Sequence, residues 1–150
     1  MLISRSVYRQ IEGKARNRAH LTDRAEEQLQ RARDRAYSLP GMRTDTDRVT
    51  TSRNPDKIGR KVQAVIEAEQ ALGEAMKWAD VFQETDRMYP PTGDGPGMVA
   101  ALSFGSGCTL VEISDTLKIS RQTALRRREE WVIHVALLAA EKHLITLNTG

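Results

Sequence analysis

Apolar residues recur every three or four positions along most of the chain, and this spacing predicts α-helices. The first such stretch runs from about residue 4 to residue 39 and carries a narrow, alanine-rich stripe that stops at Pro40. A second stretch begins at Asn54-Pro55, where asparagine can cap a helix and proline suits its first turn. Its stripe keeps near-heptad spacing as far as Phe82, which is typical of a helix packed along a neighbour.

Two long helices joined by a loop are expected to fold back on each other. The pattern therefore predicts an antiparallel helical hairpin over residues 1–89, with its loop at about residues 41–53. Trp78 and Phe82 are its largest apolar side chains. Residues 90–97 are rich in proline and glycine and predict a connector. A phosphate-binding loop is excluded there because the Gly-Lys-Ser/Thr sequence that it requires is missing.

Residues 98–150 predict three further helices. Residues 98–104 form a short apolar helix, and the next helix places three apolar residues on one face. Ser120 is positioned to cap the last helix. The continuation from residue 131 to residue 147 is apolar around most of its circumference, so it must be buried against the hairpin or a second copy. The predicted fold is all-α: a long antiparallel helical hairpin followed by a C-terminal three-helix helix-turn-helix unit with an extended last helix.

A tight turn between two short helices is the layout of a helix-turn-helix, whose second helix lies in the DNA major groove. Arg121 can bind guanine through two hydrogen bonds, and Gln122 can bind adenine in the same way. Arginines further along the helix can reach phosphates, as can backbone N–H groups at the two helix starts. The predicted DNA-binding residues are Thr109, Ser120, Arg121, Gln122, Thr123, Leu125, Arg126 and Arg128.

Several of these residues have a second interpretation. Thr123 either contacts a phosphate or packs locally, and Leu125 either meets thymine methyl groups or turns into the core. The arginine run at residues 126–128 is alternatively a solvated face that pairs with the two glutamates after it. Within that run, helical phase directs Arg127 towards the short apolar helix or its rim.

Composition narrows the class of protein. The formal charge of +3 suits a nucleic-acid partner, and the low aromatic content of 5% favours elongated helices over a thick core. Cys108 is the only cysteine, so an intramolecular disulfide and a multi-thiolate zinc site are excluded. No apolar run approaches the roughly 20 residues that span a bilayer. We therefore expect a cytoplasmic protein with no membrane partner.

Catalytic chemistry is not predicted. The three histidines lack metal-ligand spacing with a third ligand, and no carboxylate pair lies in an apolar setting. We expect no metal, no cofactor and no enzymatic activity. Cys108 is expected to be a small buried filler.

Residues 110–132, LVEISDTLKISRQTALRRREEWV, resemble the sigma-70 region 4-like helix-turn-helix. The order of elements along the whole chain is similar to that of phage late-transcription regulators of the ArpU/RinA type. This resemblance implies a phage-derived, sequence-specific transcriptional regulator in the bacterial cytoplasm. Its expected partners are double-stranded DNA and a second copy of the chain, with RNA polymerase as a further candidate.

The chain departs from the family pattern at four positions. Ser114 replaces a small alanine, and Lys118 replaces the glycine of the turn, where a non-glycine residue costs about 1 kcal/mol. Ala124 replaces a larger β-branched residue, and Arg127 replaces an apolar one. We therefore expect a helix-turn-helix unit that depends on its neighbours for stability.

Two other functions fit the same pattern. One is a small-terminase-like DNA-packaging subunit, although such subunits usually carry the DNA-binding unit first. The other is a helical interaction protein that has lost DNA binding, which gains support if the arginines at residues 126–128 are buried against the protein itself.

Overall fold

The computed structural model describes residues 3–37 and 55–147, and the regular secondary structure among these residues is helical, with no strand. The α-helices are α1 (Arg5–Arg16), α2 (Leu21–Tyr37), α3 (Pro55–Met88), α4 (Pro96–Ala100), α5 (Leu110–Leu117) and α6 (Arg121–Glu141). A 3-10 turn, Arg18–His20, follows α1, and a π-helical turn, Ala101–Gly105, follows α4. The predicted all-α class is confirmed over this part of the chain. None of its helices has both the length and the apolar content needed to cross a membrane.

The predicted single helix over residues 4–39 is wrong, because it is interrupted after Arg16. Asn17 ends α1 by donating from its backbone N–H and from its side-chain Nδ2 to the carbonyl of Gly13, at 3.2 and 3.0 Å. Arg18, where the apolar stripe has a gap, turns its guanidinium to the carboxylate of Asp86. The predicted helix stop at Pro40 and the predicted loop at residues 41–53 lie outside the described residues.

The chain divides into two compact units, one formed by Met1–Ala19 with Lys77–Gly150 and the other by His20–Met76. This division differs from the predicted boundary at residues 90–97. The physical reason is that the apolar face of α1 is buried within the first unit, together with the C-terminal helices. The N-terminal helix therefore supports the C-terminal unit instead of belonging to a separate hairpin domain.

A row of aromatic rings forms the centre of the first unit. Trp78 stacks on Phe82 with ring centroids 6.1 Å apart, Phe82 stacks on Trp131 at 6.0 Å, and Phe104 lies 5.6 Å from Trp131. All four side chains are buried. The predicted apolar continuation of the last helix is buried here, against α1 and α4. The row thus joins α3, the π-helical turn and α6 in one core.

The helix α6 ends six residues before the predicted end at Leu147. His143 adopts a left-handed conformation with φ of 61°, and the N–H of Leu144 donates to the carbonyl of Ala139 at 2.9 Å. This backward hydrogen bond satisfies a carbonyl of the last turn and directs the chain away from the helix axis.

The connector between α3 and α4 is held by a close backbone approach. A Cβ atom at Gly97 would collide with the carbonyl oxygens of Tyr89 and Pro90 and would lie 2.7 Å from the carbonyl carbon of Pro90. The helix α4 begins at Pro96, two residues before the predicted start, because proline fits the first turn of a helix. Only glycine fits at position 97.

The second unit contains α2 and the part of α3 before Lys77. One face of α2 is buried, and it carries Ala25, Leu29 and Ala32. An ion pair of 3.6 Å joins Arg33 on α2 to Glu69 on α3. Whether α2 and α3 form the predicted antiparallel hairpin stays a prediction, since its loop lies outside the described residues.

Candidate nucleic-acid interface

The helix α5 begins with a reciprocal capping box. The Thr109 hydroxyl accepts from the N–H of Glu112 at 3.2 Å, and the Glu112 carboxylate accepts from the N–H of Thr109 at 3.3 Å. The N–H of Thr109, predicted to bind a phosphate, is therefore already paired with a carboxylate. A phosphate at this point would also meet the negative charge of Glu112. Thr109 is thus better explained as a structural cap than as a DNA contact.

The turn between α5 and α6 consists of three residues. Lys118 is left-handed, with φ of 57° and ψ of 46°, which matches the expectation for a position usually held by glycine. The Ser114 hydroxyl donates to the carbonyl of Ile119 at 2.6 Å, and the N–H of Ile119 donates to the carbonyl of Ser114 at 3.2 Å. Ser114, which replaces the usual alanine, thereby locks the turn through its own side chain.

A small apolar core lies beneath the two helices. Val99 of α4, Ile113 of α5 and Ala124 of α6 are completely buried at its centre. The half-buried residues around them are Leu102, Cys108, Leu110, Leu117 and Ile119. Cys108 thus lies at the edge of this core and is half-buried, whereas the sequence predicted a buried filler. This packing fixes the angle at which α6 leaves the turn.

Ser120 caps α6 as predicted. Its hydroxyl accepts from the N–H of Thr123 at 3.1 Å and lies 2.8 Å from the Thr123 hydroxyl. Both hydroxyl groups are therefore engaged with each other, which favours the local-packing interpretation of Thr123. Leu125 is 37% exposed, so it lies at the surface and not in the core.

The exposed side of the first turns of α6 carries Arg121, Gln122, Leu125 and Arg126, and we call these residues the reading face. Within residues 3–37 and 55–147, the side chains of Arg121, Gln122 and Arg126 make no hydrogen bond or ion pair. The alternative pairing of Arg126 with Glu130 is not formed. Two guanidinium groups and an amide are therefore available to an external partner.

The other two arginines of the run are held by the protein. Arg127 donates from Nη1 to the carbonyl of Asp94 at 2.5 Å and lies 3.7 Å from the Asp94 carboxylate, at the rim of α4 as predicted. Arg128 donates from Nη1 to the Ser103 hydroxyl at 3.4 Å. Its Nε is enclosed and has no hydrogen-bond partner among the described residues.

Arg128 was predicted to contact DNA, and its surroundings argue against that role. It lies four residues after Ala124 and four before Val132, both completely buried, so it shares the core face of α6. It also lies close enough to the phenol of Tyr8 on α1 for its positive charge to act on that group. Burial raises the pKa of Tyr8 above its ordinary value, while the positive charge of Arg128 acts in the opposite direction.

One exposed cation near the reading face is missing from the predicted set. Lys118 is exposed, three residues before Arg121, and its left-handed backbone places it at the corner of the turn. Exposed lysines are among the side chains that contact phosphates in proteins that bind DNA. The lysine in place of glycine was visible in the sequence, but its only predicted effect was strain.

The described residues contain no group of three or more potential metal ligands. His134 packs its ring edge-on against Tyr89, with centroids 5.3 Å apart, and this contact accounts for its position. Comparison of the chain with protein-family models, curated proteins and solved structures finds no match. The reading face is therefore the feature of the described residues from which a function can be inferred.

Proposed function

We propose that the chain is a sequence-specific DNA-binding transcriptional regulator, phage-derived and similar to sigma region 4, whose helix α6 enters the major groove. One observation carries this proposal. Arg121, Gln122 and Arg126 are exposed and unpaired within the described residues, at the start of a helix whose opposite face is buried. Long polar side chains on a rigid support are what base recognition requires.

Each side chain of the reading face has a distinct proposed role. Arg121 and Gln122 lie in the first turn and read base edges, guanine and adenine being their preferred partners. Leu125 meets thymine methyl groups from the same face. Arg126 lies one turn further along α6 and neutralises a DNA phosphate. Lys118 contacts the DNA backbone next to it. RNA polymerase is proposed as a further partner only because residues 110–132 resemble sigma region 4.

A selection of bound duplexes from a random pool tests this function with the full chain. We expect an enriched sequence containing guanine and adenine, and a palindrome if two copies bind together. Arg121→Ala should relax the preference at one base position and cost about 1–3 kcal/mol there. If no sequence is enriched over the starting pool, specific DNA binding is wrong for this protein.

The second candidate function is a helical interaction protein without DNA binding. It gains support because two of the three arginines at residues 126–128 are engaged within the protein, Arg127 with Asp94 and Arg128 with Ser103. This candidate predicts no salt-dependent binding to any duplex. The DNA-packaging alternative predicts a large ring in solution, which a mass measurement distinguishes from a monomer or dimer.

A further inference from the structure

The part of α3 within the second unit exposes large apolar side chains along one face. Val62 is 50% exposed, Ile66 is 42% exposed and Met76 is 55% exposed. Single exposed apolar residues are common, but these follow a regular pattern. With the residues between them they keep alternating steps of three and four, as in a coiled-coil seam. We call this set the α3 stripe: Gly59, Val62, Ile66, Glu69, Gly73 and Met76.

Two glycines of the α3 stripe have no structural reason within the described residues. A Cβ atom at Gly59 or Gly73 would meet nothing within 4 Å. Each glycine in a helix interior costs roughly 0.5–1 kcal/mol relative to alanine. Neither residue lies at a turn, a close backbone approach or a positive φ. Their absent side chains leave two hollows on a face that carries Val62, Ile66 and Met76, with Glu69 as its one charged residue.

The spacing of hollows and large residues is self-complementary. If a second α3 runs antiparallel and is centred between residues 67 and 68, Gly59 faces Met76 of the second copy, and Gly73 faces its Val62. Val62 and Met76 then each enter a hollow left by a glycine, as in knobs-into-holes packing. Ile66 faces Glu69 of the second copy, whose carboxylate is paired with Arg33 within its own chain.

The charges on this part of α3 favour the same orientation. Residues 59–67 contain two basic residues and one glutamate, whereas residues 68–76, which face them in this register, contain two glutamates and no basic residue. A parallel pair of copies would place like charges beside each other. An antiparallel pair places the basic half of each helix beside the acidic half of the other, and this arrangement is attractive over distances near the Debye length.

We propose that the α3 stripe binds a second copy of this chain in an antiparallel helix pair. Its length, from Gly59 to Met76, corresponds to about five helical turns, so the contact is modest in area and the dimer is expected to dissociate on dilution. This inference does not depend on DNA binding. The helix pair joins two chains, each of which carries one reading face.

Sedimentation equilibrium of the full chain without DNA, from about 1 µM to about 200 µM, tests the proposal. We expect a reversible monomer–dimer equilibrium. Gly59→Ala combined with Gly73→Ala should weaken the dimer about tenfold or more, because the added methyl groups fill the hollows. The same change should raise the helix stability of the dilute monomer, since alanine is the better helix former. Loss of the dimer through unfolding is thereby excluded.

Separate variants test the effect of charge on the dimer and the relative orientation of its two helices. Ile66→Glu should weaken the dimer about tenfold or more, whereas Ala71→Glu adds the same charge on an exposed side of the same helix away from the α3 stripe and should leave it unchanged. In a Cys108→Ser background, Gly59→Cys and Met76→Cys chains should cross-link with each other when mixed, and neither should cross-link with itself.

Three outcomes would overturn the proposal. The first is a monomer throughout the concentration range. The second is a dimer that neither the glycine variant nor Ile66→Glu weakens. The third is efficient cross-linking of Met76→Cys chains with each other, which would mean that the two helices run parallel.

Discussion

Replacing Lys118 with glycine is expected to stabilise the turn that aims α6. A residue with a Cβ in the left-handed region costs about 1–2 kcal/mol, and Lys118 has φ of 57° and ψ of 46°. Glycine removes this cost but loses more backbone entropy on folding, roughly 0.5–1 kcal/mol. The side chain of Lys118 is exposed, so few contacts are lost. The net gain is about 0.5–1 kcal/mol.

Thermal unfolding of the full chain, followed by circular dichroism, measures this gain. For a compact unit of under 100 residues, a stabilisation of 0.5–1 kcal/mol corresponds to a rise in Tm of about 2–8 °C. Lys118→Ala is the matched control, because it removes the same charge and stem but keeps a Cβ. We expect its Tm to stay close to that of the native sequence.

The refuting result is a Lys118→Gly chain that is no more stable than Lys118→Ala. In that case the left-handed conformation would carry no strain. The assignment of the turn at residues 118–120 would then lose its energetic support.

Two other predictions concern the packing around the first unit. Gly97→Ala should destabilise the fold by about 3 kcal/mol, because its Cβ would collide with the carbonyls of Tyr89 and Pro90. Denaturant unfolding measures this loss of stability. An unchanged unfolding midpoint would contradict the close backbone approach at Gly97. The Tyr8 phenol has a folded pKa raised above its ordinary value of 10.0. Its contribution to stability is therefore fully present below pH 10 and is lost as the pH rises through the folded pKa. Tyr8→Phe should remove this alkaline loss of stability, which unfolding at several pH values measures. Arg128→Gln should raise the pKa of Tyr8 further, which ultraviolet titration of the phenol measures. Identical titrations of the native and Arg128→Gln chains would count against the proximity of Arg128 to Tyr8.

Much of the C-terminal unit could be predicted from local signals. The cap at Ser120, the helix at residues 110–117 and the left-handed position of Lys118 each depend on neighbouring residues only. Such signals are strong because a cap or a turn is decided within one helical turn of chain. The exposed positions of Arg121, Gln122 and Arg126 follow from the phase of the same helix.

Other features depend on distant parts of the chain and were missed. The break after α1 is stabilised by the pairing of Arg18 with Asp86, 68 residues away. The burial of Arg128 depends on Ser103 and on Tyr8 of α1. Helical phase alone indicates that Arg128 shares the buried face of α6, since it lies between Ala124 and Val132.

The reading face is tested most directly by salt dependence. Anisotropy titrations of a selected duplex, repeated at several salt concentrations, give the slope of log K against log[salt] for the native chain, Arg126→Gln and Arg24→Gln. Arg24 is an exposed arginine of α2 and serves as the charge-matched control. If Arg126 neutralises one phosphate per chain, Arg126→Gln should reduce the slope by about 0.9, and Arg24→Gln should leave it unchanged. Equal slopes for all three chains would contradict the proposed DNA-binding role of α6.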